Sequence, residues 1–220
     1  MKPIPNIELI IFDLDGTLVN SIYDITDCLN HTLAKFGGSL ISYGAAQQLV
    51  GGGTLKLIQK AFEHKANDLD FIETAHAHFK ERYVKNLVVK TRPYNGVVEV
   101  LEFFKEKKKA VLSNKPHALT LEVIKGLKLD TCFDIVLGAN ENLYRSKPHA
   151  AGVRHIMSLL STAPEKTRML GDSTHDIHAG KNAGTYTCSV TYGYRERALL
   201  SKEQPDYIID HIRELKSILS

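Results

Sequence analysis

Short apolar runs alternate with helical stretches through most of this 220-residue chain, and this alternation constrains its fold more than any other feature. A short, mostly apolar run suits a strand that is covered on both faces, as in a parallel sheet. The runs occupy residues 7–12, 109–113, 134–138, 167–171, 185–191 and, at an edge, 206–209. Helical patterns fill residues 96–107, 117–128, 148–160, 174–183 and 210–219. We therefore predict an α/β fold with a doubly wound parallel sheet and a Rossmann-like core.

The stretch between the first and second strands has a different pattern. Residues 21–90 contain no convincing strand, only amphipathic helices, and Ser21-x-x-Asp24 forms a capping signal at the start of the first helix. An apolar stripe runs along one face of that helix: Ile22, Ile25, Leu29, Leu33 and Phe36. We therefore predict an all-helical cap at residues 19–90, inserted into an α/β core formed by residues 1–18 and 91–220.

Composition excludes several classes of partner. Lys and Arg number 28 against 25 Asp and Glu, and the small excess is scattered, so we expect no nucleic-acid partner. No apolar stretch reaches the roughly 18 residues needed to cross a bilayer, and the N-terminus lacks the long apolar region of a secretory signal. Three widely spaced cysteines indicate reduced thiols and a cytoplasmic protein. The oligomeric state stays open, because apolar helix faces can pack within one chain or between chains.

Polar side chains cluster directly after the predicted strands. Ligands of parallel α/β sheets bind beyond the carboxyl ends of the strands, so we expect these side chains to meet at one edge. Crowded carboxylates need a compensating cation, and their oxygens suit Mg²⁺, while a lysine and a hydroxyl supply donors for an anion. The constellation therefore predicts metal-assisted phosphoryl transfer. Its members are Asp13, Asp15, Thr17, Ser113, Asn114, Lys115, Lys147, Asp172 and Asp176.

Four motifs, in this order, resemble those of the haloacid dehalogenase superfamily, and the helical insertion lies where that superfamily places a helical cap. The motifs are Asp13-x-Asp15-Gly16-Thr17, Ser113-Asn114, Lys147-Pro148 and Gly171-Asp172-Ser173-x-x-Asp176. Within the superfamily, the chain is most similar to the phosphoglycolate phosphatase-like group. That likeness comes from the Val-Gly-Gly-Gly loop at residues 50–53 and from residues 190–194 and 205–209.

The resemblance implies a role for each acidic motif residue. Asp13 would attack phosphorus through one oxygen and bind Mg²⁺ through the other. Asp15 would protonate the leaving oxygen and later deprotonate the hydrolytic water, while its backbone carbonyl also binds the metal. Asp172 would be the other protein ligand of the metal. Dehalogenases lack an acid at the position of Asp15, because a halide leaves without a proton, so Asp15 favours phosphate esters.

The remaining motif residues would hold the phosphoryl group and the first loop. By the same resemblance, Ser113 and Lys147 would bind phosphoryl oxygens with Asn114 beside them, and Lys147 would offset the charge on Asp13. Asp176 would orient either the water shell of the metal or Lys147. Thr17 would support the loop after the first strand.

Two further patterns are open to more than one interpretation. The cap glycines Gly51, Gly52 and Gly53 do not form a phosphate-binding P-loop, because the lysine and hydroxyl of that motif are absent. They form either a flexible turn between cap helices or a loop that faces the substrate. His175 and His178 have the spacing of a metal-ligand pair, but with no third ligand nearby we interpret them as surface histidines.

We predict a Mg²⁺-dependent phosphatase that hydrolyses a small phosphate monoester through an aspartyl-phosphate, with 2-phosphoglycolate as the first candidate. A pyrophosphatase, a nucleotidase and a sugar phosphomutase of the same fold are alternatives. Such mutases carry a histidine early in the cap, where residues 23–26 of this chain have none. The alternative from another class is a receiver-like phosphoacceptor module, which would not need a long helical insertion to exclude water.

Overall fold

The structure is a computed structural model that describes residues 6–219. The predicted core ranges, 1–18 and 91–220, extend beyond these residues at both ends. The prediction that the N-terminus lacks a secretory signal falls mostly on residues outside the described range. The strands are β1 Leu9–Phe12, β2 Val19–Asn20, β3 Arg92–Pro93, β4 Lys108–Pro116, β5 Ile135–Ala139, β6 Thr167–Gly171, β7 Tyr186–Val190 and β8 Tyr207–Ile209. Six of them form one parallel sheet in the order β5-β4-β1-β6-β7-β8, which confirms the predicted α/β class.

Both faces of the sheet are covered, because both faces of its central strand are apolar. Ile10 and Phe12 of β1 belong to one buried apolar cluster, whereas Leu9 and Ile11 belong to a second cluster on the opposite face. The helices after the cap are α5 Val97–Phe103, α6 His117–Gly126, α7 Ala151–Leu159, α8 Thr174–Ala183, α9 Arg197–Lys202 and α10 Leu215–Ile218. Among residues 6–219, no helix is long and apolar enough to cross a membrane.

The largest differences from the prediction concern three elements. β4 continues to Pro116 with a shift of register against β5, so Asn114 lies in the last part of the strand instead of after it. The final helix starts only at Leu215, after a 3₁₀ turn at Ile212–Glu214. α9 is absent from the sequence-based prediction, because a six-residue helix is too short to show a clear helical period.

Four helices lie between β2 and β3, and residues 21–90 contain no strand, as predicted. They are α1 Ile22–Lys35, α2 Tyr43–Leu49, α3 Thr54–Ala61 and α4 Leu69–Lys85, and we refer to residues 22–85 as the cap. The apolar stripe of α1 is buried with Phe79 of α4, and this packing joins the cluster on one face of the sheet. The division of the chain into domains at residues 18 and 91 stays a prediction.

The two connections between the cap and the sheet lie side by side. Asp24 of α1 is buried and accepts hydrogen bonds from the backbone N–H groups of Lys90 (2.9 Å) and Thr91 (2.8 Å). The helix α1 begins directly after Ser21, as the capping signal predicted, but neither the Ser21 nor the Asp24 side chain caps it, because both bind elsewhere. The Ser21 hydroxyl donates to the Asp15 carboxylate at 2.5 Å, and a charged acceptor forms the stronger bond. The start of the cap is therefore anchored to the loop after β1.

Candidate active site

A cavity lies between the carboxyl edge of the sheet and the cap, and it gathers most of the predicted site residues. Phe12 pairs with Leu170 of β6 on one side and with Val111 of β4 on the other, so the loops after these strands emerge together. The candidate site residues of the sequence analysis that line the cavity are Asp13, Asp15, Gly51, Gly53, Ser113, Asn114, Lys115, Lys147 and Asp172. Thr17 and Asp176 are buried as well, but they do not line the cavity.

Lys147 joins two of the acids. Its Nζ donates to Oδ1 of Asp13 at 2.7 Å and to Oδ1 of Asp176 at 2.6 Å, and its side chain is only 3% exposed. Burial acts to lower the pKa of Lys147, but the two carboxylates outweigh burial and the pKa is raised overall. The ammonium group therefore stays protonated and keeps a fixed positive charge next to Asp13.

Three buried carboxylates converge beside that lysine. Asp13, Asp172 and Asp176 each bring an oxygen to within 4.8 Å of the others. Burial and the charge of Asp176 raise the pKa of Asp172 to about 7, although the Tyr194 N–H opposes this by donating to Asp172 at 2.7 Å. Burial also raises the pKa of Asp13 well above its usual value, against the effect of Lys147. Because one lysine does not balance three carboxylates, the cluster fits a hard divalent cation with oxygen ligands.

Two glycines allow the backbone to approach Asp172. Gly16 has a φ of +90°, and a Cβ atom there would overlap the Asp172 carboxylate. A Cβ atom at Gly193 would overlap both Asp172 and the carbonyl of Gly16. The glycine of the first motif is therefore required by backbone conformation and by space, two reasons independent of catalysis.

Asp15 is held by two donors from different parts of the chain. Its Oδ1 accepts from the Ser21 hydroxyl at 2.5 Å and from Lys115 Nζ at 2.7 Å, and the Lys115 side chain is 3% exposed. The Ser21 hydroxyl also lies 3.1 Å from the Tyr194 hydroxyl. These contacts fix the orientation of the Asp15 carboxylate in the lining of the cavity.

Ser113 and Asn114 have partners that the sequence does not reveal. The Asn114 amide accepts from the Lys147 N–H and donates to the Lys147 carbonyl, both at 2.9 Å. It also donates to the Gly51 carbonyl at 2.9 Å, which uses its second amide hydrogen. The side chain thus positions Lys147 and the cap, with no amide hydrogen left for a phosphate. The Ser113 oxygen accepts from the Lys115 N–H at 3.1 Å, so its own hydrogen can still be donated.

Asp176 and Thr17 support the site from behind. Besides Lys147, the Asp176 carboxylate accepts from the N–H (3.0 Å) and the hydroxyl (2.6 Å) of Ser173, which caps α8. Of its two predicted roles, orienting Lys147 therefore agrees with the observed contacts. The Thr17 carbonyl accepts from the Tyr192 hydroxyl at 3.0 Å and ties the first loop to the segment after β7.

The cap closes the cavity with an apolar wall and part of the glycine loop. Gly51 and Gly53 line the cavity, which favours the interpretation of residues 51–53 as a loop facing the site. Gly52 is in the same loop but does not contribute to the lining. The apolar wall consists of Ile25, Val50, Leu57, Phe79 and Tyr83.

Three lining residues have no assigned role in the sequence-based prediction. Lys115 directly follows the second motif, Ser113-Asn114, and this position could have indicated that it lies at the site. A lysine buried there needs a carboxylate partner. His175 is half-buried and lines the cavity, so its interpretation as a surface histidine was wrong, and burial lowers its pKa. Nothing in the sequence indicates a role for Arg195, since its partners are the backbone carbonyls of Gln47 and Val50, which are distant in the sequence.

A parallel sheet with a buried carboxylate–lysine cluster at its carboxyl edge, and a helical cap inserted after its first strand, defines a class of capped α/β proteins. The comparison with known families shows which family of that class the chain belongs to. The sequence model of the haloacid dehalogenase-like hydrolases matches residues 10–190 of this chain. The chain therefore belongs to the haloacid dehalogenase-like hydrolases and is an enzyme, and the resemblance drawn from its four motifs is confirmed.

Relatives within this family are similar over nearly the whole chain. "Phosphoglycolate phosphatase" of Aquifex aeolicus is 33% identical over 214 residues, covering 96% of each chain. "Phosphoglycolate phosphatase 1" of Pseudomonas aeruginosa is 32% identical over 214 residues, covering 94% of this chain and 78% of its own. A solved structure described as a predicted phosphoglycolate phosphatase from Haemophilus somnus is 30% identical with a TM-score of 0.89, covering 96% of this chain and 97% of that one.

Proposed function

We propose that this chain is a Mg²⁺-dependent phosphatase that hydrolyses a small phosphate monoester through an aspartyl-phosphate on Asp13. The observation that carries the proposal is the buried ion pair of Asp13 with Lys147, set beside the carboxylate of Asp172. The relatives named phosphoglycolate phosphatase support 2-phosphoglycolate as the first candidate substrate.

Asp13 is the nucleophile of this proposal. One of its oxygens accepts from Lys147, and within residues 6–219 no hydrogen bond is donated to the other, which is therefore free to attack phosphorus. As the oxygen–phosphorus bond forms, the bond from phosphorus to the leaving oxygen breaks. Lys147 Nζ and the Ser113 hydroxyl are the donors for phosphoryl oxygens, and the positive charge of Lys147 is held in place before the substrate arrives.

Asp15 is the acid and base of this proposal. In the first step its carboxyl proton passes to the leaving oxygen. In the second it takes a proton from the water that attacks phosphorus, while the bond from phosphorus to the Asp13 oxygen breaks and phosphate leaves. Lys115 and Ser21 both bind Oδ1 of Asp15, so proton transfer is assigned to the other oxygen of the carboxylate.

The acidic cluster supplies the residues for the metal. Asp13 and Asp172, with the backbone carbonyl of Asp15, are the residues that we propose to hold Mg²⁺, while Asp176 keeps Lys147 in place. When bound, Mg²⁺ offsets the negative charge of the carboxylates and of the transferring phosphoryl group.

We further propose that the helical insertion acts as a lid. Its apolar wall would exclude bulk water and so strengthen the electrostatic interactions at the carboxyl edge of the sheet. Cys28, Cys132 and Cys188 are free thiols, which supports a reducing, cytoplasmic compartment.

The test is phosphate release from a panel of substrates with Mg²⁺ or with EDTA, compared by kcat/KM. The panel contains 2-phosphoglycolate, other small phosphate esters, a nucleoside monophosphate, a hexose phosphate and pyrophosphate. We expect EDTA to abolish turnover and 2-phosphoglycolate to rank first. Turnover that is insensitive to EDTA would contradict the metal role, and a flat profile would remove 2-phosphoglycolate. A long-lived phosphoprotein without turnover would favour the phosphoacceptor module instead.

A further inference from the structure

Two core side chains bind the backbone of one segment of the cap, residues 47–53, which consists of the end of α2 and the glycine loop and which we call the cap loop. Arg195 Nη1 donates to the carbonyl of Gln47 and Arg195 Nη2 donates to the carbonyl of Val50, each at 2.5 Å. Asn114 Nδ2 donates to the next carbonyl, that of Gly51, at 2.9 Å. Three carbonyl oxygens of the cap loop are thus bound by the core, two of them by a single guanidinium group.

Arg195 extends from a rigid part of the core. Its neighbour Tyr194 donates its N–H to Asp172 at 2.7 Å, and the Tyr194 hydroxyl accepts from the Ser21 N–H at 3.0 Å. Tyr194 is 5% exposed, so these bonds are shielded from water. The segment that carries Arg195 is therefore tied to the acidic cluster on one side and to the start of the cap on the other.

The bonds made by Arg195 are stronger and more directional than ordinary loop contacts. A charged donor strengthens a hydrogen bond to a carbonyl, and a planar guanidinium can bind two carbonyls at once from one fixed position. Both acceptors are backbone atoms, so the contact depends on the position of the cap loop and not on its side chains. A movement of the cap away from the sheet would have to break both bonds together.

We propose that Arg195 is the residue that holds the cap closed over the catalytic cavity, and that the cap opens for substrate when its bonds to Gln47 and Val50 break. Arg195 is a positioning residue here, because it acts through the cap loop and not on the reacting atoms. Its effect on turnover rests on the proposed phosphatase function, whereas its effect on the cap loop does not.

The experiment compares three variants with the wild type. Arg195→Met removes the donors but keeps a long side chain, and Arg195→Lys keeps the charge but cannot span both carbonyls. Arg197→Met is the matched control, since Arg197 is an exposed residue of the same segment that pairs with Asp210 instead of the cap. The measurements are hydrogen exchange of residues 43–57 without substrate, and kcat and KM for 2-phosphoglycolate with Mg²⁺.

We expect Arg195→Met to speed exchange in residues 43–57 by roughly ten- to a hundredfold, with unchanged protection in β1 and β6. We expect kcat/KM to fall by a similar factor, Arg195→Lys to be intermediate, and Arg197→Met to match the wild type. Exchange that stays at the wild-type rate in residues 43–57, or that rises equally in β1 and β6, would overturn the proposal. If the wild type hydrolysed no ester while Arg195→Met still loosened the cap loop, closure by Arg195 would stand and the phosphatase function would fall.

Discussion

The sheet edge and the cap present opposite surfaces to the same cavity. The sheet contributes charged and hydrogen-bonding groups, among them Asp13, Asp15 and Lys147, nearly all of which are bound to one another. The cap contributes apolar side chains such as Leu57 and Phe79, together with the backbone of the glycine loop. The groups able to react with a phosphoryl group therefore come from one side of the cavity, and the shape that a leaving group meets comes largely from the other.

This difference assigns separate tasks to the two regions. Buried charges are costly unless they are paired, so the sheet edge must be built accurately before any ligand arrives. An apolar wall excludes water and discriminates between substrates by shape. The energy differences that it produces between similar substrates are smaller than those produced by charged and hydrogen-bonding groups. Changes at the sheet edge should therefore abolish the chemistry, and changes in the cap should alter efficiency.

Asp13→Asn is the sharpest test of the sheet edge, and it should have the largest effect. The amide oxygen can still accept from Lys147, so the fold and phosphate binding should persist, but the nucleophile is lost. We expect kcat to fall by about 10⁴-fold or more. The measurement is phosphate release under single-turnover conditions, with the circular dichroism spectrum as the control for folding. Wild-type turnover in this variant would show that the chemistry lies elsewhere.

The pKa of Asp172 gives a second test of the sheet edge, this time through stability. Its folded pKa of about 7 lies above the value near 3.9 expected in the unfolded chain, so the folded metal-free protein holds an extra proton between these values. The stability of the metal-free protein should therefore fall as the pH rises from about 4 to about 7. Mg²⁺ replaces the proton, so it should raise Tm more at about pH 8 than at about pH 5.5.

Thermal unfolding with Mg²⁺ and with EDTA at both pH values checks this prediction. Asp172→Asn is the control, since an amide neither titrates nor repels Asp176, and it should remove most of the difference. An equal Mg²⁺-induced rise in Tm at both pH values would show that the carboxylates are not coupled to the ion.

Gly53→Ala tests the cap by moving its loop without touching the acids. Gly53 has φ +92° and ψ 167°, and a Cβ atom there would lie 3.2 Å from the Asn114 carbonyl oxygen. This backbone region costs about 1–3 kcal/mol for a residue with a side chain. We expect kcat/KM for 2-phosphoglycolate to fall about tenfold through a displaced cap loop, with a smaller change in kcat.

Gly44→Ala is the matched control for that variant. Gly44 lies inside α2, and a Cβ atom there would meet only the Ser42 hydroxyl, at 4.0 Å. Alanine should therefore stabilise the cap by roughly 0.5–1 kcal/mol, as measured by urea unfolding, and leave kcat/KM unchanged. Equal losses of kcat/KM in the two variants would mean that the position of the cap loop does not affect catalysis more than any other part of the cap does.

The sheet edge was far more predictable from the sequence than the cap. Strand periodicity locates Asp13 and Asp172 at strand ends, and parallel topology alone then brings them to one edge. The order of the four motifs then indicated the family, and the comparison with known families confirms it. The helical nature of the cap was also predictable, because apolar stripes such as that of α1 depend on local spacing.

Contacts between distant segments were not predictable. Arg195 and Gln47 are 148 positions apart and meet through a backbone carbonyl, which leaves no mark on residue type at position 47. Asn114 was expected beside the phosphate, yet its amide binds the backbone of Lys147 and Gly51. In each case the partner is a main-chain atom, and every residue type except proline offers the same main-chain groups.

The smallest expected effect compares one tyrosine from each side of the cavity. Tyr83 of the cap is 1% exposed, and within residues 6–219 its hydroxyl has no hydrogen-bond partner, whereas the hydroxyl of Tyr194 in the core accepts from the Ser21 N–H. Tyr83→Phe should therefore change the free energy of unfolding by less than about 0.5 kcal/mol, or stabilise the protein slightly. Tyr194→Phe should cost about 1–3 kcal/mol, because it leaves a buried N–H unpaired. Urea unfolding measures both changes in free energy. Equal losses would mean that the Tyr83 hydroxyl has hydrogen bonds as good as those of Tyr194. The contrast between the apolar cap wall and the hydrogen-bonded sheet edge would then not extend to these two side chains.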